Sequence, residues 1–115
     1  MWKSRNQTPL QKGRSCYENG EYDQAIESLS EALDVEGDDD KLLCQYFLGQ
    51  SWFEKGNYKK ALVHLNKALE ISKGQPILKE DSTSFYCSLS RSHAMTFDYS
   101  NALKYAEQIG YKLKE

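Results

Sequence analysis

Residues Leu48 to Leu69 read LGQSWFEKGNYKKALVHLNKAL, and the chain on either side repeats them. Displaced 36 residues toward the N-terminus, Gly49, Gly56, Tyr58, Ala61, Leu65, Ala68 and Leu69 coincide with Gly13, Gly20, Tyr22, Ala25, Leu29, Ala32 and Leu33. Displaced 41 residues the other way, Leu48, Tyr58, Ala61 and Leu62 coincide with Leu89, Tyr99, Ala102 and Leu103. Self-similarity at a period of about 20 to 50 residues belongs to architectures built by stacking one small unit on copies of itself. Such a unit cannot bury its apolar face alone, so the copies must pack on one another.

Within each copy the pattern is helical. Thr8 and Pro9 suit the cap and first position of a helix over Pro9 to Asn19, and Gly20 suits its left-handed stop. Ala25, Ile26, Leu29, Ala32 and Leu33 recur on one face of a second helix, Tyr22 to Val35. The turn Asn19-Gly20-Glu21 is short enough to force an antiparallel pair. Gly37-Asp38-Asp39-Asp40 reads as a solvated loop whose carboxylates favour the start of the next helix. Lys41 to Glu54 and Tyr58 to Lys73 form the second pair across Lys55-Gly56-Asn57, and Gly74-Gln75-Pro76 ends it. Ile77 to Thr83 either extends the fifth helix backwards or ends in a cap at Asp81 or Ser82. Thr83 to Thr96 and Tyr99 to Lys114 form a third pair across Phe97-Asp98, a turn without glycine. The expected fold is all-α: three stacked antiparallel helix pairs in a single domain over 1–115, with repeats at about 6–39, 42–75 and 83–115.

These residues resemble the tetratricopeptide repeat family, whose pattern is W-x2-L-G-x2-Y, A-x3-F and P. The middle copy carries it in Leu48-Gly49-x2-Trp52 and Ala61-x3-Leu65-x2-Ala68, with Gln45 in place of the tryptophan. The first copy matches at Gly13, Cys16, Ala25, Leu29 and Ala32. The third matches more loosely at Tyr86, Leu89, Ser90, His93 and Ala102, and its Ala106 and Ile109 interchange the large and small positions. The longer spacing before the third copy is similar to the variants of about 40 residues found in this family. The resemblance implies a short superhelix whose first helices line a concave side. It also implies a non-catalytic adaptor that binds a peptide or helix of another protein there.

On the central helix a second apolar stripe, Leu43, Tyr46, Phe47, Gln50 and Phe53, lies beside the core stripe. Its counterparts are Leu10, Gln11, Arg14, Tyr17 and Glu18 on the first helix and Ser84, Cys87, Ser88, Arg91 and Met95 on the fifth. Arg14, Tyr17, Tyr46, Phe47, Gln50, Phe53 and Arg91 are therefore the candidate partner-binding residues, because aromatics and arginine dominate interfaces. Two alternatives stand beside this reading. Tyr46, Phe47 and Phe53 can instead be core between inner faces, and Arg14 and Arg91 can pair with acids such as Glu18 or Glu54. The family's chaperone-tail clamp uses lysines and asparagines where this chain has Leu10, Arg14, Phe47, Ser84 and Ser88. An Hsp70 or Hsp90 tail is therefore not the expected partner.

Charged residues are 28% of the chain at a net charge of -2, so no basic excess invites nucleic acid or anionic membrane. No apolar run approaches the roughly 18 residues of a membrane span. Three cysteines at wide spacings fit neither a disulfide framework nor a zinc site, which points to the cytoplasm or nucleus. Neither a catalytic constellation, a metal site nor a cofactor is expected. His93 is read as a core histidine and His64 as a solvated one, Cys16 and Cys44 as small packing residues, and Cys87 as a buried or half-buried thiol near Arg91. A second reading is structural: Leu103, Ala106, Ile109, Tyr111 and Leu113 on the last helix would pack on another copy, giving a homodimer, or on further repeats.

Overall fold

The computed structural model of the chain describes residues 8–35, 38–72 and 82–114. Among the described residues there are six helices and no strand: α1 (Pro9–Glu18), α2 (Tyr22–Val35), α3 (Asp38–Glu54), α4 (Tyr58–Ile71), α5 (Ser82–Met95) and α6 (Tyr99–Lys114). They pack as consecutive pairs, α1 with α2, α3 with α4 and α5 with α6. Helix α3 begins at Asp38 rather than at Lys41, so the acid run is its first turn and not a loop. Negative charge near a helix N-terminus is favoured by the helix dipole. Helix α4 ends at Ile71, with Ser72 as its cap. The expected stop at Gly74-Gln75-Pro76 and the segment from Ile77 to Asp81 lie outside the described residues.

The turn chemistry is local and repeats three times. Thr8 and Gln11 close a reciprocal capping box: the Thr8 hydroxyl accepts from the Gln11 amide and the Gln11 side chain from the Thr8 amide, each at 3.1 Å. At the end of α1 the Glu21 amide donates to the Cys16 carbonyl (2.8 Å) and the Gly20 amide to that of Tyr17 (3.1 Å). The same two bonds end α3, from Asn57 to Trp52 and from Gly56 to Phe53, and end α5, from Asp98 to His93 and from Phe97 to Ala94. This closure needs a left-handed residue. Gly20 and Gly56 supply it at φ 83° and 86°, and Phe97 is forced into it at φ 67°. A side chain in that region is strained, and Phe97, 79% exposed, recovers little by burial.

Within a pair the spacing is set by one contact. A Cβ placed on Gly49 would lie 2.6 Å from Leu65 Cγ and 3.1 Å from the Leu65 amide nitrogen, and Gly13 stands in the same relation to Leu29. Each leucine is thus seated against bare backbone, and each is fully buried. The third pair is held differently, and Ala106 is exposed. Ser90 replaces the glycine, Ala106 replaces the leucine, and the Ser90 hydroxyl donates to the Ala102 carbonyl at 2.8 Å.

Between pairs the contacts are one-sided. Helix α1 touches α3 and α3 touches α5, whereas among the described residues α2 does not touch α4, nor α4 α6. Contact on one side with separation on the other curves the stack and puts the first helices inside. Helix α3 meets α1, α2, α4 and α5. From Leu42 to Ser51 every residue except Leu43 is buried.

Two substitutions test this account with opposite signs. Gly49→Ala should cost about 1–3 kcal/mol, since the leucine and its backbone must move apart. Phe97→Gly should gain about 0.5–1 kcal/mol, the relief of the left-handed strain less the entropy of a glycine. Urea unfolding followed by circular dichroism reads both, and a Phe97→Gly protein weaker than wild type would disprove the strain.

Candidate partner-binding face

The inner wall is made by α1, α3 and α5, and one register position marks its line. Arg14 on α1, Gln50 on α3 and Arg91 on α5 are related by the offsets of 36 and 41 residues. Gln50 is buried, at 4% exposure, and both arginines are exposed. The helices therefore close over the middle of the face and leave its two ends open.

The closed middle is aromatic and hydrogen-bonded. Tyr46 and Phe47 are 6% and 8% exposed, with ring centres 5.1 Å apart. Phe47 meets Tyr17 of α1 at 5.5 Å, and Tyr46 meets Phe85 of α5 at 5.8 Å. The Gln50 amide donates to the Tyr46 hydroxyl at 3.0 Å, and the Ser88 hydroxyl donates to Gln50 Oε1 at 2.6 Å. This chain of bonds satisfies the carboxamide without water and ties the second pair to the third. Ser88 was placed on the inner face by spacing but not given this bond, and Phe85 was not singled out from the sequence. Their roles depend on how closely α5 approaches α3, and no local pattern encodes that distance.

At the α1 end, Arg14 lies 3.6 Å from Glu18 and its guanidinium stands 5.3 Å from the centre of the Phe47 ring. It covers the aromatic floor while its charge stays in water. Tyr17 is half-buried against Phe47 and Tyr22. Burial, aided by neighbouring Tyr46, Glu54 and Tyr22, pushes its phenol up to about 12. At the other end Phe53 meets Tyr58 edge-on at 5.6 Å, reproducing the Tyr17–Tyr22 pair 36 residues earlier. That repeated aromatic spacing was a signal in the sequence. Phe53, Glu54, Tyr58, Arg91, Ala94 and Met95 line a cavity of about 460 Å³. Leu43 is half-buried, Cys87 and Met95 are exposed, and Ser84 lies outside the described side chains.

Two expectations about single residues are corrected. Cys87 is exposed rather than buried or half-buried, because it sits on the solvent side of the turn that places Ser88 inward. His64 is half-buried rather than solvated, and its Nδ1 lies 2.7 Å from Gln45 Oε1. Gln45 stands where the repeat pattern has tryptophan, and a polar pair across α3 and α4 fills the place of the indole. His93 is buried, as expected, and stacks on Tyr105 with ring centres 5.6 Å apart. Its Nδ1 faces Asp98 at 3.5 Å, too far to close a good hydrogen bond. Among the described residues no group of three or more His, Cys, Asp or Glu side chains is placed to hold a metal ion. No described helix is long and apolar enough to cross a membrane.

Antiparallel helix pairs stacked with one-sided contacts define an α-helical solenoid. The sequence profile of the tetratricopeptide repeat matches residues 4–74, more than half of the chain, and the protein belongs to that family. Repeats of this family are interaction modules, typically non-catalytic. No curated protein matches the chain. The third helix pair lies beyond the matched residues and continues the stack with the same turn geometry.

The histidines set a pH dependence of stability. Burial lowers the pKa of His64, helped by Lys67 and Lys60, and burial lowers that of His93 against the opposing pull of Asp98. A histidine whose folded pKa lies below its unfolded value of about 6.5 takes up its proton more readily in the unfolded chain. Stability is therefore full above about pH 6.5 and falls as the pH drops through that value. Asp98, held below the ordinary carboxylate range chiefly by its bonds from Asn101, acts only in a lower window, below about pH 4. Urea midpoints taken from pH 7.5 to pH 5 should decline, and His64→Gln should flatten the decline. An unchanged slope in that variant would exclude His64 as a contributor.

Proposed function

We propose that the chain is a protein-interaction adaptor that holds a peptide or helical segment of a partner along the inner wall of α1, α3 and α5. The observation that carries this reading is the split of one line of residues into a packed floor and two open ends. Tyr46, Phe47 and Gln50 form the floor, and Tyr17 with Arg14 and Phe53 with Arg91 flank it. A floor that is already rigid loses little entropy on binding, and the half-buried aromatics beside arginines supply anchors of the kind that carry interface energy. Phe47 and Tyr46 then act by shaping the wall, with Gln50 fixing their positions. Phe47 is a poor choice for a binding test, because removing a buried phenyl ring costs about 3–5 kcal/mol. Arg14 and Phe53 can be changed with far less effect on the fold. The tagged Arg14→Ala/Phe53→Ala variant should keep wild-type helix content and lose the proteins that wild type captures from a cell extract. Equal capture by both would overturn the assignment.

A second, structural reading has its own observation. Ile26, Leu62 and Leu103 occupy one repeat position. The first two are half-buried on helices that α3 and α5 pack against, and Leu103 is 62% exposed. Helix α6 thus offers a stacking position that a second copy of the chain would cover, making a homodimer. Ile109, Tyr111 and Leu113, expected on the same face, lie outside the described side chains. Sedimentation equilibrium should show dimers that Leu103→Lys dissociates, and a monomer at every concentration would exclude this role.

A further inference from the structure

We infer that the recess between the second and third turns docks an acidic peptide carrying one large apolar side chain, an inference that rests on the interaction role proposed above. The cavity lined by Phe53, Glu54, Tyr58, Arg91, Ala94 and Met95 adjoins a second one of about 390 Å³. Tyr58 and Met95 are walls of both, and the second adds Lys55, Lys59 and Thr96. The two make one recess that runs from the open end of the inner wall over the α3–α4 turn.

Its floor is apolar and partly unfilled. Phe53 and Tyr58 meet edge-on and leave their outer faces to the cavity, and Met95 is exposed beside them. A long unbranched thioether at the wall suits an apolar side chain of a partner, since methionine repacks easily around different shapes. Charge then selects the partner. Three cations, Arg91, Lys55 and Lys59, border the recess against one carboxylate, Glu54. Lys55 is held by Asp23 of α2 and stands over the Trp52 ring, so it belongs to the joint between the first two pairs. Arg91 and Lys59 form no ion pair among the described residues, and Arg91 lines the first cavity and Lys59 the second. A basic peptide would meet two uncompensated cations, and an acidic one would neutralise them. The neighbouring turn adds an independent observation. Phe97, two residues past Met95, is held at φ 67° and is 79% exposed, its ring meeting only that of the likewise exposed Tyr99 edge-on at 6.4 Å. Strain retained at an exposed apolar residue marks a surface shaped for contact.

The test uses the full chain and a fluorescein-labelled peptide with one central leucine flanked by aspartates, read by fluorescence anisotropy. Two control peptides carry lysine flanks or a glycine in place of the leucine. Wild type should bind the acidic leucine peptide, and each control about tenfold more weakly. Arg91→Glu with Lys59→Glu should lose about tenfold for the acidic peptide and gain for the lysine-flanked one, a reversal that misfolding cannot mimic. Lys104→Glu, an exposed cation on α6 that lines neither cavity, should stay within about twofold of wild type. No binding of the acidic peptide to wild type would overturn the inference. So would equal losses in Lys104→Glu and Arg91→Glu, which would reduce the effect to net charge. If capture from extract fails in Arg14→Ala/Phe53→Ala and persists in Arg91→Glu/Lys59→Glu, the recess is excluded and the adaptor role stands.

Discussion

The seating of Leu29 on Gly13 and of Leu65 on Gly49 fixes how near two helices of a pair can come, and the rest of the architecture follows from that distance. A leucine pressed on bare backbone brings the axes close and leaves Ala25 and Ala61 fully buried beside it. Successive pairs meet through their first helices and through the second helix of one against the first helix of the next. The central helix is then surrounded on almost every side, and its apolar circumference becomes a requirement of its position. The third pair lacks this seating, since Ala106 at the leucine's position is exposed. There the Ser90 hydroxyl bonds the Ala102 carbonyl across the two helices, where the earlier pairs seat a leucine on glycine.

What could be read from the residues divides along the same line. Helix limits set by local chemistry were legible: α2 and α6 run over the spans expected, and Gly20 and Gly56 stop the helices before them. Phe97 shows the limit of composition as a guide, because the turn forms with the same bonds although the expected residue type is missing. The start of α3 was displaced because three aspartates read as loop-formers by propensity and as helix-starters by electrostatics, and the second effect prevailed. The position of Tyr46, Phe47 and Gln50 on the inner face was legible from spacing, but whether they line a hollow or fill it was not. That outcome depends on the gap between helices from different repeats, which α1 and α5 close with Tyr17, Phe85 and Ser88. His64 followed the same logic, since its partner Gln45 lies on the facing helix and not on its own.

The polar groups inside the wall deserve a physical reason. An apolar residue at the place of Gln50 would let α3 and α5 slide by a fraction of a turn with little penalty. The carboxamide has two partners at fixed distances, Tyr46 on its own helix and Ser88 on the next, and any slip leaves one of them buried and unsatisfied. The stack therefore holds its register at the joint between the second and third pairs by hydrogen bonding. The joint between the first and second uses the Lys55–Asp23 ion pair instead, with Trp52 lying beneath Lys55 and Lys60.

The two outer faces of the solenoid differ in a way that gives it a direction. Lys12 and Ser15 on α1 are exposed at the positions where Leu48 and Ser51, and Leu89 and Ser92, are sealed inside. Helix α6 presents the opposite character through Leu103. A surface laid on α1 must leave the Lys12 ammonium in water, whereas one laid on α6 can cover the Leu103 side chain outright.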